Sequence, residues 1–565
     1  MTHGRSFSRL RLFGALVVAL AALIVGRLVY LQVLRGGYYA ALAQSQAQER
    51  IEVDLPRATL MDRHGFPLAA STQCPSLYTF EPQKLSDPVG LARAVASVSG
   101  RDADDILKDL RTRRKFTWLA RKLPFQKYDD VKAICSRFKG CEMMEESGRY
   151  YPNASLAANL VGCVGTDGGL TGLEHHWNAT LQGGTRHYLV MRDAVATRLI
   201  PMEMLPEVDP KPVAVRTTID QAIQFEAERV LDDTVSELNA KDGVVIVLDP
   251  HSGDILAMAV APTFDPHTPG KTGPDAWRNR AVTDSYEPGS TFKMVTLSAA
   301  LDSGRFVPSD TIVVGNGTLT VGPKTIHDDE PPIKSVYTLE EVFAHSSNVG
   351  AAKIGMALGE ETMYHYMRLF GFGQPTALRL TGESAGRLRP TKEWTMLSLP
   401  CLSFGQELRS TPLQLALAYA AVASGGYRVV PRLLPDQPIA PPERILKAST
   451  CDAMRAMMGR VVTEGTGKNA AVPGVAVGGK TGTAQKIGQK AEDGRRPFIA
   501  YFVGMAPIDN PRIVCLVMVD EPVGKIYGGA ISAPAFSKIV GFSLKRLAYP
   551  DRDSSVDLAL SGGRP

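Results

Sequence analysis

The chain has 565 residues, of which 44% are hydrophobic and 21% charged, with a formal net charge of +5. That length suggests two or more domains of ordinary globular composition. The small charge and the lack of any lysine- or arginine-rich run argue against a nucleic-acid partner, and seven scattered cysteines make no disulfide framework.

Arg5, Arg9 and Arg11 precede an apolar run from Leu12 to Val25, which continues after Gly26 and Arg27 to Leu34. Residues 12–34 are long enough to span a bilayer, which needs roughly 20 residues. The basic flank predicts a cytoplasmic tail over 1–11, a single transmembrane helix over 12–34, and everything after it outside the inner membrane. A cleaved signal peptide is the competing reading, but the run exceeds a typical apolar core of about 7–15 residues. Arg27 inside this span either snorkels to the outer interface or meets a polar group on another membrane protein, and both readings stay open.

Residues 35–212 are mixed in composition and carry no obvious catalytic cluster. Within them Leu55 to Gly65 is an extended piece ending in a turn, and Gly172-Leu173-Glu174-His175-His176-Trp177 is a docked helix. Both have a scaffold reading, as lone charges usually do. Cys135 and Cys141 are close enough in sequence to pair in an oxidising compartment, although position alone does not fix connectivity. Prolines 201, 206, 210 and 212 mark a boundary.

Beyond it, Gln221 to Leu238 has helical spacing of apolar residues. Gly243–Leu248 with Ile255–Val260, and Phe498–Met505 with Arg512–Val519, read as two hairpins. Strands at both ends with helices between predict an α/β domain over 213–548 whose sheet joins remote segments. The polar end, 549–565, reads as a disordered tail.

Three short motifs carry the chemistry. Ser290 and Lys293 follow Pro288-Gly289 and open an apolar helix, so they share one face. If that helix begins at or near Ser290, the serine sits among unpaired N–H groups at the positive end of the dipole. Ser346-Ser347-Asn348 is unique in the chain. It follows a capping box, Thr338 to Glu341, and precedes a second helix, so it lies on a tight interhelical link. Lys480-Thr481-Gly482-Thr483 lies in a strand of little side-chain bulk, open to close backbone approach.

Each motif is weak alone. Ser136-Arg137-Phe138-Lys139 repeats the first by accident, and Lys271-Thr272-Gly273 repeats the third, but Pro274 follows it and breaks a strand. Singly, Ser346 reads as a helix cap, Asn348 as a turn residue and Lys480 as a surface lysine. His327-Asp328-Asp329-Glu330 is the only metal-like group and reads as a solvated acidic loop. No metal or cofactor is expected.

In this order the three motifs resemble the penicillin-binding proteins, specifically the class B peptidoglycan D,D-transpeptidases. Tyr286 to Lys293 is similar to that family's nucleophile segment. Arg57 to Gly65 and Gly172-Leu173-Glu174 resemble pieces of its pedestal, of the dimerisation type, with Ala58 and His64 departing from the usual residues. Phe370 to Thr376, Ser403-Phe404-Gly405-Gln406, Thr411 to Leu415, Tyr527-Gly528-Gly529 and Ala533-Pro534 look most like the division-specific, FtsI-type branch.

The resemblance implies a serine penicillin-recognising transpeptidase fold. Its antiparallel sheet is flanked by helices with an α-rich subdomain, preceded by an elongated mixed pedestal and one transmembrane helix. It implies acyl transfer from D-Ala-D-Ala stem peptides of lipid II-derived strands, inhibition by β-lactams, and D,D-carboxypeptidase side activity. Ser290 is then the nucleophile and Lys293 its base, with Ser346 relaying a proton and Asn348 holding the substrate amide. Lys480, Thr481 and Thr483 bind the terminal carboxylate beside Gly482, and the N–H groups of Ser290 and Thr483 form the oxyanion hole.

The pedestal shows no glycosyltransferase module, which implies a membrane partner of the SEDS type, FtsW-like, among other divisome proteins. Localisation at the division site follows from the same branch. The rival readings are an elongation- or sporulation-specific class B protein, a β-lactam sensor or β-lactamase, and a non-catalytic division scaffold. A class A β-lactamase needs a deacylating glutamate, and no Glu-x-x-Leu-Asn lies between Asn348 and Lys480.

Overall fold

The computed structural model describes residues 4–39, 48–80, 82–112, 116–165, 168–183, 185–192, 199–204, 214–486, 494 and 496–548. The chain forms two compact units, one of residues 1–56 with 182–211 and the other of 57–181 with 212–565. The expected disordered tail, 549–565, lies outside the described residues.

In the first unit, helix α1 (Gly4–Val29) runs on through a π-turn to Leu34. Residues 11–34 are the one stretch among the described residues long and apolar enough to cross a membrane. The same unit holds a three-stranded antiparallel sheet of Gln48–Asp54, Thr185–Arg192 and Leu199–Met204.

The second unit begins with residues 57–181, the middle of the expected pedestal. Strand β1 (Pro67–Phe80) pairs antiparallel with Thr59–Met61, Phe116–Ala120 and, after helix α2 (Tyr128–Arg137), with β2 (Cys141–Tyr150). Thr59–Met61 also pairs in parallel with Ala214–Arg216. One face of this sheet buries Leu77, Leu119 and Cys141 against the apolar faces of α2 and the two helices before it. The expected turn at Asp62 to Gly65 is present, with Gly65 at φ +93°, where a Cβ would be strained.

The part of the chain that carries the three motifs is built on five antiparallel strands. Helix α3 (Gln221–Glu237) starts where Asp220 accepts from the N–H groups of Ala222 and Ile223. Strands β3 (Asp242–Leu248) and β4 (Ile255–Ala261) form the first expected hairpin. Further helices follow: α4 (Lys293–Asp302), α5 (Leu339–Ala344) and α6 (Asn348–Leu358). The chain then returns to the sheet with β5 (Gly478–Gln485), β6 (Phe498–Ala506) and β7 (Ile513–Asp520), and closes on α7 (Gly528–Ala548).

The strand order is β4-β3-β7-β6-β5, so β5 is a free edge. β3, β4 and β7 are buried throughout their length, which explains their near-continuous apolar sequences. Alternation still sorts the side chains. Val245, Val247 and Val517 pack against α3 and α7, whereas Val244, Ile246 and Leu516 pack against the layer containing Phe292, Val295 and Leu297. The result is three layers, with the Ser290 segment held against the free edge.

Candidate active site

Ser290 does not open the α-helix as expected. It lies in a 3-10 turn, Gly289–Phe292, and α4 begins at Lys293, whose N–H reaches the Ser290 carbonyl. The tighter turn has three residues per repeat, so residues i and i+3 eclipse one another. Lys293 Nζ therefore stands over Ser290, 2.9 Å from its Oγ.

That turn is braced on two sides. Gly289 N–H donates to the Gly405 carbonyl, and a Cβ on Gly405 would lie 2.1 Å from the Gly289 oxygen. Glu407 N–H donates to Glu287, Thr296 Oγ1 to the Ser403 carbonyl, and Tyr419 Oη to the Thr291 carbonyl. The Ser403 to Gln406 segment is thus the backstop of the nucleophile turn. Across the cleft, a Cβ on Gly482 would meet Thr291 at 2.8 Å, so glycine lets β5 come this close.

The Ser346 link packs over the same point. The capping box at Thr338 and Glu341 is formed, α5 ends at Ala344, and Ser347 caps α6 by accepting from Gly350 N–H. Ser346 has φ +60°, a left-handed conformation that costs a non-glycine residue of the order of 1 kcal/mol or more. It turns the Ser346 carbonyl to 2.5 Å from Lys293 Nζ, with Ser346 Oγ at 3.1 Å and Asn348 Oδ1 at 2.7 Å.

Lys293 is fully buried, and no carboxylate bonds its Nζ among the described residues. Burial pushes its ammonium down to about 8, against a weaker opposing pull from Asp329 and Asp328. Two acceptors, the Ser346 carbonyl and Asn348 Oδ1, match the two N–H bonds of a neutral amine. Its lone pair is then left for the Ser290 hydroxyl.

Lys480 is also fully buried, 5.8 Å from the Phe343 ring, and among the described residues only Thr481 oxygens are within bonding reach. Burial and then the Lys293 charge push its ammonium well down. The hydroxyls of Thr481 and Thr483 are engaged with Thr466 Oγ1 and Gly528 N–H. The Thr483 carbonyl is the nearest atom to a Cβ placed on Gly289. A strand residue's N–H and C=O point the same way, so the Thr483 N–H also faces the free edge.

The structure thus brings Ser290, Lys293, Ser346 and Asn348 into direct contact, with Lys480 to Thr483 alongside. Arg27 belongs to the other unit. The accidental copies stay apart: Ser136 Oγ bonds back to Lys132 O at the exposed end of α2, and Lys271 lies in a 3-10 turn.

One expectation fails. Asp328 is not simply solvated. Its carboxylate accepts from Ser347 Oγ and from the Val349 N–H at 2.9 Å, while the His327 carbonyl accepts from Asn348 Nδ2. The acidic loop holds the Ser346 link in place. Sequence periodicity carries no trace of this, because a loop 18 residues upstream is brought back by a hairpin of Thr318–Val321 and Lys324–His327. Only the uniqueness of the run hinted at it.

Comparison with known proteins identifies the family. Residues 243–541 match a family described as penicillin binding protein transpeptidase domain, and residues 52–203 match the penicillin-binding protein dimerisation domain. The probable peptidoglycan D,D-transpeptidase PbpC of Pseudomonas aeruginosa is 33% identical over 97% of both chains. The peptidoglycan D,D-transpeptidase FtsI of Escherichia coli is 32% identical over 95% of this chain and 91% of its own. The crystal structure of penicillin-binding protein 3 from Mycobacterium tuberculosis, complexed with aztreonam, superposes with a TM-score of 0.67. That match has 29% identity over 88% of this chain and 98% of the other.

Proposed function

This chain belongs to the class B penicillin-binding proteins and is a peptidoglycan D,D-transpeptidase; we propose that it works through a Ser290 acyl-enzyme and serves the division septum. The observation that carries the catalytic assignment is the buried Lys293 Nζ, 2.9 Å from Ser290 Oγ, with its pKa held near 8.

Ser290 Oγ attacks the carbonyl of the penultimate D-Ala of a stem peptide as Lys293 Nζ takes its proton. The N–H groups of Ser290 and Thr483 receive the developing oxyanion, each such donor contributing roughly 3–4 kcal/mol in comparable sites. Ser346 Oγ, within reach of Lys293 Nζ, passes the proton to the leaving D-Ala amine. Asn348 orients Lys293 and the substrate amide. An amine of a second stem then attacks the acyl-enzyme, and the proton path runs in reverse.

Lys480 with Thr481 and Thr483 receives the donor's terminal carboxylate. That anion favours a protonated Lys480, and the Lys480 charge in turn favours a neutral Lys293. β-Lactams enter the same site as acylating agents, as the aztreonam complex of the mycobacterial relative supports. Helix α1 anchors the chain as a single-pass protein with the catalytic part outside. Arg27 lies 5.3 Å from the Tyr30 ring, which favours snorkelling over a partner contact. Polymerisation of the glycan falls to a separate membrane glycosyltransferase.

Labelled penicillin tests the nucleophile: Ser290→Ala is expected to remove all labelling, and residual labelling at the wild-type rate overturns the assignment. Rapid release of label from the wild type points instead to a β-lactamase. Depletion producing filaments supports the septal role, whereas round cells assign the protein to elongation and a sporulation-only defect to spore formation.

A further inference from the structure

Seven thiols are free in the structure, and two of them touch. Cys135 lies in the last turn of α2, Cys141 opens β2, and their Sγ atoms are 3.9 Å apart. The link between them is a tight reverse turn. Phe138 N–H donates to the Ile134 carbonyl, Cys141 N–H to the Phe138 carbonyl, and Gly140 sits at φ +91°. This turn fixes the end of the helix against the start of the strand. Closing the gap by about 2 Å brings the sulfurs to the bonding distance of about 2.05 Å.

We propose that Cys135 and Cys141 are a disulfide-forming pair, oxidised after export, which pins helix α2 to strand β2 in the pedestal. The inference rests on the reading that this part of the chain lies outside the inner membrane, where thiols meet an oxidising environment.

The environments of the two thiols set the order of events. Cys135 is half-buried and so open to an oxidant, whereas Cys141 is buried. Cys135 Sγ therefore attacks first, on the disulfide of a thiol–disulfide oxidoreductase. One sulfur of that disulfide leaves as a thiolate and a mixed disulfide forms. Cys141 then loses its proton and its Sγ attacks Cys135 Sγ, expelling the second thiolate. The pair has given up two protons and two electrons, and the oxidant's disulfide has become a dithiol.

Selectivity follows from placement. Cys74, Cys163, Cys401, Cys451 and Cys515 are all buried, and no contact between any two of them occurs among the described residues. Burial pushes each of their thiols up. They are expected to stay reduced where Cys135 and Cys141 do not.

The test uses the full-length protein taken from membranes, with free thiols blocked by N-ethylmaleimide at lysis. Non-reducing trypsin digestion is expected to yield residues 133–137 linked to 140–149, lighter by about 2 Da than the two reduced peptides together. The linked species disappears in Cys135→Ser. Full alkylation of both cysteines in exported protein overturns the proposal.

A second arm separates the chemistry from the topology. The purified chain is equilibrated in glutathione buffer poised near an envelope-like potential, and protease accessibility of the catalytic part is measured in spheroplasts. Closure in glutathione with an inaccessible catalytic part keeps the pair and sinks the topology. Failure to close in glutathione sinks the pair whatever the topology. The oxidised wild type is expected to melt several degrees above Cys135→Ser, and reduction is expected to abolish that difference.

Discussion

The pedestal and the cleft bury charge in opposite ways. In the pedestal, Glu174 is fully buried and bracketed by two arginines: Arg57 donates to its Oε2 at 2.9 Å and Arg149 to its Oε1 at 2.6 Å. Arg57 also donates to Asn178 and Arg149 to the Ala58 carbonyl, so the network is nearly complete. In the cleft, Lys293 and Lys480 are equally buried but, among the described residues, have no carboxylate bonded to either nitrogen. The pedestal network holds three remote segments together. The cleft instead keeps two ammonium groups poorly solvated, which lowers their proton affinity and leaves them ready for a proton or an anion. Buried charge with a partner serves structure here, and buried charge without one serves chemistry.

The contrast is sharpened most by Lys293→Ala. It is expected to cut β-lactam acylation roughly 10²–10⁴-fold while leaving the fold intact, as measured by stopped-flow acylation and melting. In the wild type the base must be neutral. Since its pKa is lowered to about 8, the acylation rate is expected to rise about tenfold per pH unit below 8 and level off above it. A rate flat from pH 6 to 9 removes Lys293 as the base.

Glu174→Gln attacks the opposite side of the contrast. It leaves two arginines short of a charge and is expected to cost about 3–5 kcal/mol in chemical denaturation, with little change in acylation per folded molecule. If stability is unchanged, the pedestal network is ornamental. Lys480→Met carries the opposite expectation, neutral to about 2 kcal/mol stabilising, because an unpaired buried cation is replaced by an apolar chain. Its loss falls on KM for a carboxylate-bearing donor, and a marked loss of stability contradicts the comparison. The smallest effect is expected of Asp328→Asn, about 1 kcal/mol in stability and a several-fold slower acylation from a looser Ser346 link. An unchanged rate shows that Ser347 and Val349 need no such brace.

Much of the site was legible because its chemistry is local. Ser290 and Lys293 share one turn, the capping box announces the Ser346 link, and proline after Gly273 rejects the false lysine motif. Each depends on neighbours within a few residues. The two hairpins and α3 were legible for the same reason, through periodicity and a cap. Asp328 was not, because its partners Ser347 and Val349 reach it only after a hairpin folds back. The 3-10 turn at Ser290 was not, because the Gly405 contact that shapes it comes from over a hundred residues away.

The sequence by itself determined the three motifs, their order, the apolar N-terminal run and the strands that make the sheet, since these follow from residue type and short-range spacing. Only the tertiary structure decided that both lysines are buried with no carboxylate bonded to them among the described residues, that Ser346 takes a left-handed conformation aiming its carbonyl at Lys293, and that Cys135 touches Cys141. Each depends on which remote surfaces exclude water or meet at a point, and desolvation and packing are properties of the folded whole rather than of any stretch of chain.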